Sequence, residues 1–467
     1  MSSLRAVFCL PVALMLLSWV APSVPAVEPS AQAGQAEEIV LRREARGKVL
    51  TLEDAVRNGL ENHPSITSAR EKVGAQAAVL RQQFAAYYPT LTLNNVYRAN
   101  TDTSGTRLSK PGVTDFFQLG QATWNMTLYN FGKREGAVQS ARETLDATSY
   151  NLKTTADTVV LGVKQAYYSY LQAIALVRVR EETVRDRELI VRQAQAFYEV
   201  GTRAKIDFVR AQANLYSAQS DLIAAQNAMK VAWVTLKNAM GLPDLPEQPV
   251  PTVTAAQVES FSVTTFPLSL EQARSQAFTI RPDLQSFEAQ LRAQDQTIAT
   301  NRRGHLPDFI LDGFYGWRHA SNDKTDKDAG TGRPRFPLLP AYQVQLSLNI
   351  PIFDGFRTTN RVEESVRNYY SIKAQAEQQK QQVALEVEQG YANVVSAQER
   401  IKATKGAEQA AKENLDLANG RYQVGVGSII EVTDAQATYT SAEVDYVNSL
   451  YNYKTAEAQL LKAIGTP

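Results

Sequence analysis

The chain carries an internal repeat that extends over most of its length. Thr51-Leu52-Glu53-Asp54-Ala55 returns as Ser269-Leu270-Glu271-Gln272-Ala273, and Tyr198-Glu199-Val200-Gly201 returns as Tyr422-Gln423-Val424-Gly425. The second pair is separated by a slightly longer interval than the first, so the second copy has an insertion opposite residues 98–130 of the first. In this window both copies are polar and contain glycine, as is typical of a surface loop. Surface loops tolerate insertions. The repeat restricts the chain to a duplicated architecture.

The repeat and its flanks divide the sequence into five predicted segments. These are a signal peptide at 1–26, an N-terminal extension at 27–50, a first repeat at 51–242, a proline-rich linker at 243–267 and a second repeat at 268–467. The linker is assigned because five prolines between residues 243 and 267 are too many for a helix or a central strand.

The first 26 residues have the pattern of a secretory signal peptide. Arg5 precedes an apolar run from 6 to 20, and small residues at Val24-Pro25-Ala26 offer a cleavage site. The alternative, a membrane anchor, is disfavoured because the run is shorter than the ~20 residues that span a bilayer. Cleavage would remove Cys9, the only cysteine, which excludes disulfides, cysteine–metal sites and an N-terminal lipid on cysteine.

Residues 112–242 and 352–466 contain no proline and are rich in strong helix formers. Small and branched residues recur there at alternating spacings of three and four, the pattern of a coiled-coil seam. In the first copy the seam is Val138, Ala141, Leu145, Thr148, Leu152, Thr155 and Val159; in the second it is Val383, Val387, Gly390, Val394, Ala397, Ile401, Thr404, Ala411, Leu415, Ala418 and Tyr422. Only Glu408 interrupts the second seam. The pattern predicts one helix from Lys133 to Val200, ~100 Å long, and a helical hairpin in each copy that turns near Gly201 or Gly425.

Four candidate strands precede the long helices. The clearest covers 342–350, where apolar and polar residues alternate; weaker versions cover 90–98, 117–128 and 309–318. Aromatic side chains could form interfacial girdles, at Trp124, Tyr129, Trp317, Phe336 and Tyr342. The alternative is a sheet with one wet face. Since four strands cannot close a barrel, which takes ~8, and an open edge is not tolerated in lipid, a membrane sheet would require several chains; three would supply twelve strands, although the sequence does not prove three.

The composition argues against an enzyme and against a nucleic-acid-binding protein. The chain has 49 basic and 48 acidic residues and no basic block. Its three histidines, His63, His305 and His319, lack metal-ligand spacing. His63 and His305 lie beside prolines and are interpreted as boundary residues. No phosphate-binding loop or nucleophile motif is present, so we expect no catalytic residue, no metal and no cofactor.

In this order and duplicated, the motifs of the chain resemble those of the TolC family of outer-membrane efflux proteins. The motifs are Leu52-Glu53-Asp54-Ala55 with Asn62-His63-Pro64, Leu128-Tyr129-Asn130-Phe131-Gly132, Ile352-Phe353-Asp354-Gly355-Phe356-Arg357 and the two Tyr-x-Val-Gly turns. The resemblance implies a homotrimer, with a twelve-stranded β-barrel in outer-membrane lipid above a coiled-coil tunnel in the periplasm. It also implies a passive export duct, docked to a periplasmic adaptor (membrane fusion) protein and through it to an inner-membrane pump.

The resemblance further implies a gate at the periplasmic end, and its positions match Tyr422, Glu431 and Asp434 in the second copy and Asp207 in the first. Three copies of Glu431 and Asp434 around one axis would favour cations; the alternative is carboxylates on solvated helix faces, which are common near helix starts. Family members often carry an arginine where this chain has Gly427, whereas the first copy has Arg203 at the equivalent place.

The turns of the two hairpins are predicted to contact the adaptor. They comprise Val200, Gly201, Thr202, Arg203, Val424, Gly425, Val426 and Gly427; the alternative is that they are ordinary helix turns. A non-conducting periplasmic coiled-coil scaffold, or an adaptor, is the rival function for the whole chain. The helical hairpins alone would permit it, but the amphipathic strands, placed alike in both copies, argue against it. The transported substrate, and the choice between drug efflux and type I protein secretion, stay open.

Overall fold

The computed structural model describes four parts of the chain, residues 50–101, 114–246, 267–320 and 339–467. Side chains are described in these parts except at 98–119, 318–320 and 339. The predicted signal peptide at 1–26, nearly all of the extension at 27–50, most of the linker at 243–267 and Phe336 therefore lie outside what is described, as does the side chain of His319.

The chain divides into two compact units. The smaller comprises Met1–Thr51 and Leu245–Thr252, of which only four residues are described. The larger comprises Leu52–Asp244 and Val253–Pro467. All elements given below belong to the larger unit.

The two copies contain the same elements in the same order, namely two short helices, two strands and two long helices. The first copy has α1 (Leu52–Asn62), α2 (Pro64–Phe84), β1 (Thr90–Thr101), β2 (Thr114–Tyr129), α3 (Lys133–Glu199) and α4 (Lys205–Ala239). The second has α5 (Leu270–Ile280), α6 (Pro282–Arg302), β3 (Asp308–Ala320), β4 (Leu339–Asn349), α7 (Arg357–Gln423) and α8 (Ile429–Ile464). Short 3-10 turns at Ala85–Tyr87 and Arg303–His305 lead into β1 and β3. The duplication inferred from the sequence is therefore also seen in the elements.

The predicted long helices are confirmed. Helices α3 and α7 each contain 67 residues, which corresponds to ~100 Å of helix. Each ends at the glycine that the sequence indicated, because Gly201 and Gly425 adopt left-handed conformations with φ of 78° and 83°. The backbone hydrogen bonds from Thr202 to Phe197 and from Gly201 to Tyr198 close a Schellman turn.

The predicted seams are buried to different extents in the two copies. In α7 the side chains of Val383, Val387 and Val394 are fully buried, as predicted. In α3 the ends of the seam are buried, but Leu145, Thr148, Leu152 and Thr155 are only half-buried. There the buried position is Ala147, whose carbonyl accepts a hydrogen bond from Ser286 on α6. The short helix α6 packs against this part of α3 and shifts the buried line.

The four strands form one antiparallel sheet in the order β1-β2-β3-β4. The two copies meet between β2 and β3, where Trp124 lies opposite Gly313. A Cβ at Gly313 would collide with the carbonyl of Gln343 and lie 2.8 Å from the Trp124 ring, so this position requires glycine. The apolar side chains of β4, Tyr342, Val344, Leu346 and Leu348, are all more than half exposed on a single chain. The strand predictions are confirmed, with ends that differ by a few residues.

In the described ranges, no helix is both long and apolar enough to span a bilayer.

Among the described residues, two buried clusters join the helices. One packs α5 and α6 against α7 and the C-terminal half of α8, around Leu284, Val387 and Leu460. The other lies at the hairpin turns and takes Ile190 and Ala211 from the first copy and Tyr422, Ile429 and Val432 from the second. This tip cluster holds the ends of all four long helices together, and it positions the residues of the candidate site.

Candidate functional site

The two hairpin turns lie side by side, joined by Arg203. Its Nη2 donates hydrogen bonds to the carbonyl oxygens of Gly425, at 2.9 Å, and Gly427, at 2.8 Å. Both acceptors belong to the turn of the second copy, whereas Arg203 belongs to the turn of the first. The structure thus brings together the two predicted tip segments, which are far apart in sequence. The side chains of Val200, Val424 and Val426 are largely exposed at these turns.

Gly427 is buried and has no room for a side chain. A Cβ there would lie 2.8 Å from the backbone nitrogen of Tyr422 and 2.9 Å from the carbonyl carbon of Arg421. Because both neighbours are backbone atoms, an arginine at this position would require the turn to change. A guanidinium is nevertheless present at this turn, because Arg203 of the first repeat reaches it.

Tyr422 belongs to the tip cluster. Its side chain is 1% exposed, its ring meets Phe197 edge-on at 5.6 Å, and the Arg203 guanidinium lies 5.6 Å from the ring centroid. Burial and the negative charge of Asp207 raise the pKa of the Tyr422 hydroxyl, against the opposing charge of Arg203. Among the described residues this hydroxyl has no hydrogen-bond partner. Tyr422, Asp207 and Arg203 therefore form one electrostatically coupled group.

Glu431 and Asp434 lie in the first two turns of α8, and both side chains are exposed. Residues three apart share a helix face. The Ser428 hydroxyl caps this helix by accepting from the backbone nitrogen of Ile430. Arg421 lies 3.8 Å from Glu431, an exposed pair that contributes little to stability. The four predicted gate residues thus fall into two sets. Asp207 acts electrostatically on the buried Tyr422 hydroxyl, whereas Glu431 and Asp434 are exposed.

A further acidic group, which sequence reasoning missed, lies along the helices away from the turns. Glu182 and Asp186 on α3 and Glu443 on α8 line one groove. Burial raises the pKa of Glu443 to about 7, and the charges of Glu182, Glu408 and Asp186 add to this. A signal was present in the sequence, because Glu408 is the residue that interrupts the α7 seam.

The site offers no cluster of metal ligands. Within the described ranges, no three or more histidine, cysteine, aspartate or glutamate side chains are placed to hold a metal ion. His63 is the N-cap of α2, where its Nδ1 accepts from the backbone nitrogen of Ser65 at 3.2 Å. This agrees with its interpretation as a boundary residue.

Comparison with known proteins gives a consistent result. The model of the family described as "Outer membrane efflux protein" matches residues 55–242 and 273–466. The outer membrane protein TolC of Vibrio cholerae is 24% identical over 416 residues, which cover 87% of this chain and 88% of that protein. TolC of Escherichia coli is 26% identical over 383 residues, covering 80% and 73%. A membrane protein of Pseudomonas aeruginosa has a similar crystal structure, with a TM-score of 0.75 at 21% identity over 90% of this chain and 94% of that one.

Proposed function

The chain belongs to the outer membrane efflux protein family and is an exit duct of the bacterial outer membrane, and we propose that three copies of it assemble into one channel. The family consists of transport channels rather than enzymes. The single observation that carries the proposal is the match of the family model to both copies of the repeat.

The sheet supports assembly through its edges. In the described residues β1 and β4 each pair with a neighbour on one side only. Unpaired backbone groups are not tolerated in lipid, so β4 of one subunit pairs with β1 of the next subunit. Three four-stranded sheets close a twelve-stranded barrel, and its apolar outer face, with Val344 and Leu346, contacts outer-membrane lipid.

Helix α4 supports the same assembly. A line of apolar side chains is exposed along it at coiled-coil spacing, comprising Ile206, Val209, Tyr216, Ile223, Val231 and Val234. Monomeric proteins seldom expose so continuous an apolar surface. In the trimer this line of side chains packs against the long helices of a neighbouring subunit and is buried. The long helices of the three subunits then enclose a tunnel in the periplasm.

The hairpin turns are the proposed contact with a periplasmic adaptor protein, and through it with an inner-membrane pump. Their exposed Val200, Val424 and Val426 provide apolar contacts at the end of the tunnel. One relative is named a toluene efflux pump outer membrane protein, from Pseudomonas putida, at 23% identity. A tripartite system, in which the pump supplies the energy, fits a duct whose sequence contains no phosphate-binding loop motif. The rival function, a non-conducting scaffold or adaptor, leaves the sheet without a role.

The gate is proposed at the same end. Glu431 and Asp434 are exposed on one chain and form an acidic ring when three copies meet, which favours cations over anions. The contact between Arg203 and the second turn, together with Tyr422 and Asp207, holds the turns in the closed arrangement.

The test is single-channel conductance of the purified protein in planar bilayers. The wild type should show a small, cation-selective conductance, and Glu431→Gln/Asp434→Asn should lose the selectivity. The control is Glu363→Gln/Glu364→Gln, which removes two exposed charges near the start of α7. This control should keep the cation selectivity of the wild type. An unchanged selectivity in the first variant would refute the acidic ring. Absence of conductance in folded trimers, or a soluble product that never reaches the outer membrane, would refute the channel.

A further inference from the structure

A groove between α3, α7 and α8 starts at the tip cluster, with which it shares Ile190 and Leu415, and contains none of the four proposed gate residues. It has a volume of about 470 Å³. Its lining includes Glu182 and Asp186 of α3, Lys412 of α7 and Glu443 of α8. The groove is formed by a single chain, so the inference drawn from it does not depend on the channel proposal.

The carboxylates of this groove are poorly compensated. In the described part of the chain, Glu182, Asp186 and Glu443 have neither a hydrogen bond nor an ion pair within 4 Å. Burial and the neighbouring carboxylates raise the pKa of Glu443 to about 7. The charge of Lys412 lowers this pKa, but its effect is the smallest. Burial and Glu182 likewise raise the pKa of Asp186, although Arg187 lies close by and lowers it. Arg185, the other cation at the groove, pairs with Glu181. The groove therefore carries net negative charge.

Gln436 gives a second and independent indication of a ligand. Its side chain is 2% exposed and lines the groove, yet its Oε1 has no hydrogen-bond partner among the described residues. Buried polar atoms are almost always satisfied, and one that is not has lost the donor it had in water. A donor is thus missing at this point of the groove wall.

We propose that the groove between α3, α7 and α8 binds a flexible aliphatic diamine or polyamine through Glu182, Asp186, Glu443 and Gln436. All four offer oxygen acceptors, so the ligand must bring N–H donors and positive charge. A single metal ion does not fit, because no three carboxylates in the described ranges are close enough to hold one. An extended ligand can reach separate carboxylates with separate ammonium groups. Its alkyl segments can pack on Leu189, Ile190 and Leu415, which also line the groove.

The experiment is isothermal titration calorimetry of the purified full chain in detergent with spermidine at low ionic strength. Wild type should bind saturably, and added salt should weaken the binding. Glu443→Gln should weaken it by at least ~10-fold, since it removes a charged acceptor. Gln436→Leu should weaken it as well, without changing the charge of the protein. Glu363→Gln is the matched control on an exposed face of α7 and should bind as wild type does.

Several outcomes would overturn the proposal. The first such outcome is the absence of saturable heat with wild type, which would mean that the groove does not bind the amine. Equal affinity in wild type and in Glu443→Gln is another. If binding is lost in Glu431→Gln/Asp434→Asn but kept in Glu443→Gln, the amine binds at the gate instead. Magnesium that competes fully with spermidine would change the ligand class to a metal. Circular dichroism and gel filtration test whether each variant is folded. If Gln436→Leu does not fold, the comparison of Glu443→Gln with the control Glu363→Gln tests the proposal.

Discussion

Arg203→Met tests whether one side chain joins the two hairpin turns. Methionine keeps much of the length and apolar stem of arginine but removes the donors to the carbonyls of Gly425 and Gly427, at 2.9 and 2.8 Å. Hydrogen bonds from a charged group contribute about 1.5–3 kcal/mol each when buried. Arg203 is partly exposed, so we take the lower end and discount it further, to about 2 kcal/mol for both bonds. This corresponds to roughly a 30-fold change in the opening equilibrium of the second turn.

Native-state hydrogen exchange measures this equilibrium directly. The amides of Val426 and Gly427 donate to the carbonyl of Arg421, at 3.1 and 2.9 Å, and exchange when the second turn opens. Their protection should fall roughly 30-fold in Arg203→Met. Arg203→Lys keeps the charge but not the fork of donors and should give an intermediate loss.

The control and the refuting result come from the same turn. Arg421→Met removes the exposed pair with Glu431, at 3.8 Å, and should change protection by about fivefold or less. If Arg203→Met leaves the protection of both amides as in wild type, the contact does not hold the turns together. The proposed closed arrangement would then need another lock. If the reasoning holds, the same variant should also open more often in the conductance assay.

Three further predictions concern stability. Arg281→Met should lower the free energy of unfolding by about 3 kcal/mol in chemical denaturation, because it removes the buried guanidinium that Asp283 and Glu386 contact at 2.6 Å. The loss is at the lower end for a broken buried pair, since Glu386 keeps Lys462 at 3.7 Å and Asp283 keeps its hydrogen bond from Gln379; a loss under ~1 kcal/mol would contradict it. Gly427→Ala should cost about 1–3 kcal/mol and loosen the turn, since its Cβ would lie 2.8 Å from the nitrogen of Tyr422, whereas Gly420→Ala, with open space around it, should be neutral or stabilising. Because the pKa of Glu443 is raised to about 7, the folded state binds the proton more tightly, and stability from this group is lost as pH rises from the unfolded pKa through 7. Glu443→Gln should therefore raise the thermal midpoint at pH 8, by the equivalent of about 1 kcal/mol or less after solvent screening, and leave it nearly unchanged at pH 4; an equal shift at both pH values would refute this.

The predicted gate residues show which features of a site a family resemblance can locate. The family motif located Tyr422, Glu431, Asp434 and Asp207 in the sequence. Tyr422 lies in the last turn of α7, and the other three lie in the first two turns of α4 and α8. It did not indicate that Tyr422 is buried and electrostatically coupled to the half-buried Asp207 while the other two are exposed. Whether a side chain near a turn is buried or exposed depends on how the two hairpins pack against each other. The motif carries no information on this packing.

The sequence alone determined the elements of this protein and their duplication. Helix α3 begins at Lys133 and ends beside Gly201, as predicted, because spacing, absence of proline and a glycine stop are local properties of the chain. Only the tertiary structure decided that Arg203 reaches the turn of the other copy and that Gly427 has no space for a side chain. The groove at Glu443 is likewise known only from the packing of three helices. Such features depend on distances between residues that are far apart in the chain, and the pattern of each segment is compatible with many such distances.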